Sequence, residues 1–210
     1  NSSNWNTSSM TAMNSMFNGC SKLTSLDTSG FDTSNVTTMH GMFSNCGGLT
    51  HLDVSGFDTS KVTNMESMFN RCSKLTSLDV SGFDTSNVTN MLGMFSGCGE
   101  LTSLDVSGFD TSKVTKMSNM FSDCNKLKTI TGLGDLDMSN VTTIDYMFSN
   151  VSALETWGLD KWDTSKIETM AQTFRRSSIC NDSGVENWKL PNLKGLYFTF
   201  ADCKNLTHLD

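Results

Sequence analysis

A period of 26 residues governs this sequence. Residues 31–56, FDTSNVTTMHGMFSNCGGLTHLDVSG, return almost letter for letter from Phe57, Phe83 and Phe109. The cysteines keep the same count at Cys20, Cys46, Cys72, Cys98 and Cys124. A fixed period of this length restricts a chain to a solenoid, a propeller or an array. Each copy divides in two. Leu49, Leu52 and Val54 alternate with Asp53, the pattern of a strand with one buried face. Val36, Met39, Met42, Phe43, Cys46 and Leu49 follow at steps of three or four, the pattern of one face of a short helix. Ser55 and Gly56 end the strand, and Asp58-Thr-Ser60 supplies caps for the next helix, whose first apolar residue is Val62. One strand and one short helix cannot bury their own apolar face, whereas stacked copies can.

The longer pattern MFxxCxxLxxLDVSxFDTSxVTxM resembles the BspA-like leucine-rich repeats of bacterial surface proteins. The likeness is to the 26-residue variety of Gram-positive gut bacteria and mycoplasmas, and it covers nearly the whole chain. It implies a secreted, cell-wall-attached adhesin or ligand-binding surface without enzymatic activity.

The Phe of each MF pair traces eight copies: Phe17, Phe43, Phe69, Phe95, Phe121, Phe148, Phe174 and Phe200. One step is 27 residues, from Phe121 to Phe148, so residues 131–135 should hold a bulge or a widened turn. The expected architecture is an α/β solenoid, a leucine-rich-repeat-like stack of eight strand–helix coils with one parallel sheet. At about 4.8 Å per coil its body is roughly 40 Å long. The chain reads as a single repeat domain over residues 1–210. The regular copies span about 5–130 and the diverged copies about 131–210. Val151 and Ser177 replace the column Cys in the diverged part, which should be the less regular end.

The 210 residues carry a formal net charge of −7, which argues against a nucleic-acid partner. No apolar run is long enough for membrane insertion. The opening NSSNWNTSS is not a signal peptide, so the chain reads as a segment of a longer protein whose anchoring regions lie elsewhere. The final LTHLD opens another strand, and such an open edge would favour self-association through the solenoid ends.

No catalytic constellation, cofactor motif or metal-ligand spacing is present. The seven Cys lack a CxxC pair, and one Cys per coil reads as a reduced, buried column. The Met columns read as core. His40, His51 and His208 have no repeating nucleophile partner. Asn35, Asn87 and Asn140 fit the glycosylation pattern but stand at helix starts, where Asn serves the backbone.

The candidate ligand site is a row of outward carboxylates. Asp27, Asp53, Asp79 and Asp105 alternate with inward Leu and Val, and Ser55, Ser81 and His51 share their face. Like charges on neighbouring strands repel. Repulsion would raise their apparent pKa, so that binding varies with mild acid or cations. The alternative is a solvated face screened by water and salt. A second row, Asp32, Asp58, Asp84 and Asp110, suits Asx-turn bonding. Arg175 and Arg176 with Trp157 and Trp162 form an alternative ligand patch. The expected function is a bacterial cell-surface adhesin domain that binds a host mucin, another glycoprotein or an extracellular matrix protein through its polar sheet face. The other reading is a structural spacer that binds nothing, which the near-identity of the central copies would suit.

Overall fold

In a computed structural model of the chain, residues 5–209 are described; Asp210, the last residue of LTHLD, lies outside them. Eight coils can be followed, opening at Trp5, Phe31, Phe57, Phe83, Phe109, Leu136, Trp162 and Trp188. The first seven coils are joined in series by isolated parallel bridges through Ala12, Thr38, Asn64, Asn90, Lys116, Thr143 and Thr169. These residues lie in the VTxM half, where helices are expected from the apolar spacing. No α-helix forms there among the described residues.

The reason is an alternation of backbone amides. In coil 2 the amides of Met39, Gly41, Phe43 and Asn45 donate to the carbonyls of Asn64, Glu66, Met68 and Asn70 in coil 3, at 2.7 to 3.0 Å. The amides between them, Met42, Ser44 and Cys46, close tight turns on Met39, Gly41 and Phe43. An α-helix needs every amide to bond four residues back within its own segment. Here two residues per coil are left-handed, Gly41 and Asn45 in coil 2, both at φ 60°. They wind the segment into successive turns and aim every second amide at the next coil. The same apolar residues still point inward: Val36, Met39, Met42, Phe43, Cys46 and Leu49 are fully buried. The three-and-four spacing therefore marks the buried face correctly and the backbone wrongly.

The strand half also departs from expectation. A two-stranded parallel sheet forms between β1, Ser103–Asp105, and β2, Thr129–Thr131, with Leu104 opposite Ile130. In coils 2 to 4 the inward alternation holds, since Leu52, Val54, Leu78, Val80, Leu104 and Val106 are buried. Among the described residues, however, no backbone hydrogen bond joins residues 51–54 to 77–80, or 77–80 to 103–106. Coils 2 to 4 are tied on the VTxM side and left open on the LTxLDV side, whereas coils 4 and 5 are bonded on both. Successive rings of the Phe17-to-Phe200 column lie 5.4 to 6.0 Å apart. Their planes are nearly parallel, the offset stacking that aromatic quadrupoles favour.

Two buried polar columns complete the interior. Thr33, Thr59, Thr85 and Thr111 are buried, and each hydroxyl donates at 3.0 Å to a carbonyl of the next coil, from Asp58, Asp84, Asp110 and Asp137. The buried thiols of Cys46, Cys72, Cys98 and Cys124 donate backward to the carbonyls of Phe17, Phe43, Phe69 and Phe95, at 3.1 to 3.2 Å. All seven cysteines are free; Cys20 is exposed, and Cys180 and Cys203 are half-buried, so the reduced column is buried only in its middle. Burial pushes the Cys46 thiol up to about 11 and the Cys124 thiol up to about 12, and raises Cys72 and Cys98 as well. The thiolate is the reactive form. We therefore expect a neutral-pH alkylating reagent to label Cys20 quickly in the native protein and to reach the four column thiols only on unfolding. Denaturation without reductant should then reveal seven thiols; a smaller number, or rapid native labelling of Cys72 or Cys98, would contradict the column.

The 27-residue step is a widened turn. Gly132 takes φ 81° ahead of a single 3-10 turn, Leu133–Asp135, and similar turns recur at Leu159–Lys161 and Val185–Asn187. The inter-coil bonds persist in the diverged copies: Phe148 donates to Thr173 and Phe174 to Thr199, each at 2.9 Å. No helix among the described residues is long and apolar enough to cross a membrane.

Candidate functional site

Because coils 2 to 4 are left open on this side, the LTxLDV face carries a groove of about 400 Å³. His51, Asp53, Ser77, Asp79, Asp105 and Thr131 are among its lining residues, with Leu52, Leu78 and Leu104 at its floor. Three of the four expected Asp therefore share one concave surface with His51. Ser55 and Ser81 are exposed and bonded to members of the same row. Asp27, one coil earlier, is not among the groove residues.

Each carboxylate in the row also holds its own turn. Asp53 Oδ1 accepts the Ser55 amide at 2.9 Å and the Ser55 hydroxyl at 2.7 Å. Asp27 with Ser29, Asp79 with Ser81, and Asp105 with Ser107 repeat both bonds. The second row works identically, with Asp32, Asp58 and Asp110 capping Ser34, Ser60 and Ser112. This corrects the electrostatic expectation. The Ser hydroxyl first and the Ser amide second hold Asp53, Asp79 and Asp105 below the usual carboxylate range. Repulsion between neighbours acts the other way and is smaller, as for Asp53 on Asp79 and Asp79 on Asp105. Two short hydrogen bonds to the charged form outweigh a like charge that is exposed to water. The row consequently stays ionised through mild acid, and the groove stays anionic.

The sign of the stability linkage follows. A carboxyl whose pKa is depressed in the folded state contributes stability above its unfolded pKa. That contribution is lost as pH falls through the folded pKa. Stability to urea should therefore be flat from neutral pH to about 5 and fall steeply below about 4, the unfolded Asp value. A gain in stability on acidification from pH 7 to 5 would instead restore the repulsion account.

The alternative patch does not exist as a surface. Trp157 and Trp162 are both 5% exposed. Trp157 packs edge-on against Phe148 and Phe174, and the Trp162 indole N–H donates to the Leu133 carbonyl at 3.0 Å. Large rings in the diverged copies fill interior space that Leu and Phe fill in the regular ones. Arg175 is half-buried and donates to Gln172 at 2.7 Å, and Arg176 pairs with Asp202 at 3.2 Å. Among the described residues no group of three His, Cys, Asp or Glu is placed to hold a metal ion.

One surface column escaped the sequence reading. Asn35, Asn87, Asn140 and Asn192 alternate with Lys61, Lys113 and Lys166 from coil to coil. Asn87 Nδ2 donates back to the Ser60 carbonyl at 2.9 Å, and Lys113 Nζ donates to Asn87 Oδ1 at 2.9 Å. The pattern is visible as DTSN alternating with DTSK, but its role appears only when consecutive coils are adjacent. It also gives the Asn of each NVT triplet a structural partner on both sides.

The profile of the family described as "Mycoplasma protein of unknown function, DUF285" matches residues 1–51, 47–155 and 128–209. No curated protein matches the chain. Among solved structures, a leucine-rich repeat protein from Bacteroides ovatus aligns with a TM-score of 0.52 at 16% identity, over 81% of this chain and 46% of its own. A leucine-rich cell surface protein from Faecalibacterium prausnitzii aligns at 25% identity and a TM-score of 0.39, over 64% of this chain and 38% of its own. A leucine-rich repeat protein from Eubacterium ventriosum aligns at 24% identity and a TM-score of 0.43, over 75% of this chain and 46% of its own. The chain thus spans less than half the length of each of these structures.

Proposed function

Because the chain belongs to the DUF285 family, with the BspA-like repeat pattern read from its sequence and the fold of a leucine-rich repeat solenoid, we propose that it is the ligand-binding part of a bacterial cell-surface adhesin. The observation that carries this reading is the groove on the LTxLDV face, where backbone left unbonded between coils lies beside Asp53, Asp79 and Asp105. Among the described residues, the second carboxylate oxygen of each of these Asp has no hydrogen bond and is free to meet a ligand. The ligand is a host or matrix macromolecule, a mucin or another glycoprotein or an extracellular matrix protein. An anionic groove favours its neutral or basic stretches over sialylated or sulfated ones. The role is non-catalytic and extracellular, with attachment to the cell surface through other parts of the protein.

The test is binding of the chain to immobilised mucin and matrix proteins, with Asp53, Asp79 and Asp105 changed together to Asn. Asn keeps an oxygen for the Ser55, Ser81 and Ser107 caps and removes the charge, so the fold should persist. We expect the parent to bind with little change from pH 7 to 5, and the triple variant to lose about tenfold in affinity, a conversion of roughly 1.4 kcal/mol. A parent chain that binds none of these surfaces fits the spacer reading instead, which the near-identity of coils 2 to 4 supports.

A further inference from the structure

The LTxLDV segments of coils 3 and 4 have one sequence and two backbone states. Both read LTSLDVSG, at residues 75–82 and 101–108. The coil 4 segment pairs with coil 5. Ser103, Leu104 and Asp105 lie opposite Thr129, Ile130 and Thr131, and the Val106 amide donates to the Thr131 carbonyl at 2.9 Å. The coil 3 segment forms no such ladder with coil 4, and the Val80 amide bonds to no carbonyl there. Val54 of coil 2 repeats this towards coil 3. The cause therefore lies in what each segment faces. The register of the paired strands, carried back by one coil, sets Asp79 opposite Asp105, and by two coils sets Asp53 opposite Asp79. Where the ladder closes, Asp105 faces Thr131 instead.

The Ser caps are not what keeps the ladder open. Asp105 accepts the Ser107 amide and hydroxyl, as Asp53 and Asp79 accept theirs from Ser55 and Ser81, and it still lies in β1. The carboxylate column ends at Thr131, and Gly158 and Gly184 continue it. From there the coils stay bonded on this side. The Glu155 amide donates to the Lys128 carbonyl at 3.0 Å, and the Leu159 amide to the Ser183 carbonyl at 2.9 Å. From coil 2 to coil 7, the face is unbonded only where carboxylate meets carboxylate. Like charges opposite each other on neighbouring strands repel. A hydrogen bond exposed to water has a modest net worth, so repulsion of similar size decides whether it forms. The caps keep the row ionised, so the repulsion is not relieved by a proton and is expressed in the backbone.

We propose that the facing carboxylates of Asp53, Asp79 and Asp105 hold the LTxLDV side of coils 2 to 4 open, and that this stretch has a second, zipped state in which its segments join β1 and β2 in one continuous parallel sheet. Asp79 is the central charge, because it faces Asp53 on one side and Asp105 on the other. In the zipped state the Val54 and Val80 amides donate to the Asp79 and Asp105 carbonyls, as the Val106 amide already does to Thr131. The groove over Leu52, Leu78 and Leu104 belongs to the open state and narrows when the ladder closes. Its width is thus set by charge, and neutralising one residue is enough to change it. This change of state needs no ligand, and it stands whether or not the groove binds a macromolecule.

Amide hydrogen exchange followed by NMR tests this residue by residue on the unliganded chain. In the parent the Val106 amide should be protected, and those of Val54 and Val80 should exchange about tenfold faster or more. Asp79→Asn keeps an oxygen for the Ser81 cap and removes the charge, and it should slow Val54 and Val80 about tenfold. Coil 5 also carries β-branched Thr129, Ile130 and Thr131, which favour strands. Asn does not, so protection gained in Asp79→Asn comes from the charge alone. The reverse change, Thr131→Asp, should speed exchange at Val106 about tenfold, whereas Thr131→Asn, matched to it in size, should leave Val106 near the parent rate. The Met65 and Phe69 amides, bonded to Asn90 and Met94 on the VTxM side, report that each variant is folded. The proposal is overturned if Asp79→Asn leaves Val54 and Val80 at the parent rate, or if Thr131→Asp and Thr131→Asn exchange alike at Val106.

Discussion

Changing Phe95 to Ala should cost about 3–5 kcal/mol of stability, the usual range for removing a fully buried ring. Phe95 is fully buried and stacks on Phe69 at 5.8 Å and on Phe121 at 6.0 Å. In a stack where each coil touches only its neighbours, stability is close to a sum of coil terms and interface terms. Removing a middle ring weakens two interfaces at once. Phe200 is half-buried and, among the described residues, stacks on Phe174 alone, at 5.4 Å, so it takes part in one. Phe200→Ala should therefore cost only about 1 kcal/mol. Urea unfolding of the two variants gives the comparison. Equal losses would mean that the column is not the unit through which coils are coupled.

Gly132→Ala should destabilise by about 3 kcal/mol or more, combining a left-handed backbone with overpacking. Gly132 sits at φ 81°, and a Cβ there would lie 2.4 Å from Ser107 Cα and 2.6 Å from Ser107 N. Those are backbone atoms of the preceding coil, so no side-chain rotation relieves the clash. Gly56 is the matched control. It ends the LTxLDV segment of coil 2, its backbone is not left-handed, and a Cβ there would meet nothing within 4 Å. Gly56→Ala should be nearly neutral. If Gly132→Ala unfolds at the same urea concentration as the parent, the inserted residue is not held against coil 4 in the way its geometry requires.

The buried face of the regular coils was legible in the sequence, because burial depends only on which residues point inward. Val36, Met39, Phe43, Cys46 and Leu52 do so whatever the backbone between them does. The helix was misread because a run of tight turns can reproduce the three-and-four spacing of a helical stripe. The correcting signal lay in the column of Gly19, Asn45, Arg71, Gly97, Asp123, Asn150, Arg176 and Asp202, all left-handed and six of them Gly, Asn or Asp. Gly, Asn and Asp at one fixed position favour a left-handed turn and disfavour a helix interior. At the candidate site, the outward direction of Asp53 follows from alternation, and so it was readable. Its depressed pKa was not read, because Ser55 was taken as a neighbour on the face and not as a hydrogen-bond donor to that carboxylate. Trp157 and Trp162 looked like surface residues because they interrupt a regular pattern. In the fold they fill the space the pattern leaves.

The alternating amides also fix how the chain responds to tension. The bonds from Met39, Gly41, Phe43 and Asn45 to the next coil run along the stack. A pull between the two ends of the chain loads them a few at a time, as in peeling, instead of shearing all of them together. Coils then leave the stack singly, each releasing 26 residues, or about 90 Å of extended chain. A cell held to a surface through such a chain would be tethered by a series of small yielding steps, and each coil could rewind onto its neighbour when the load falls.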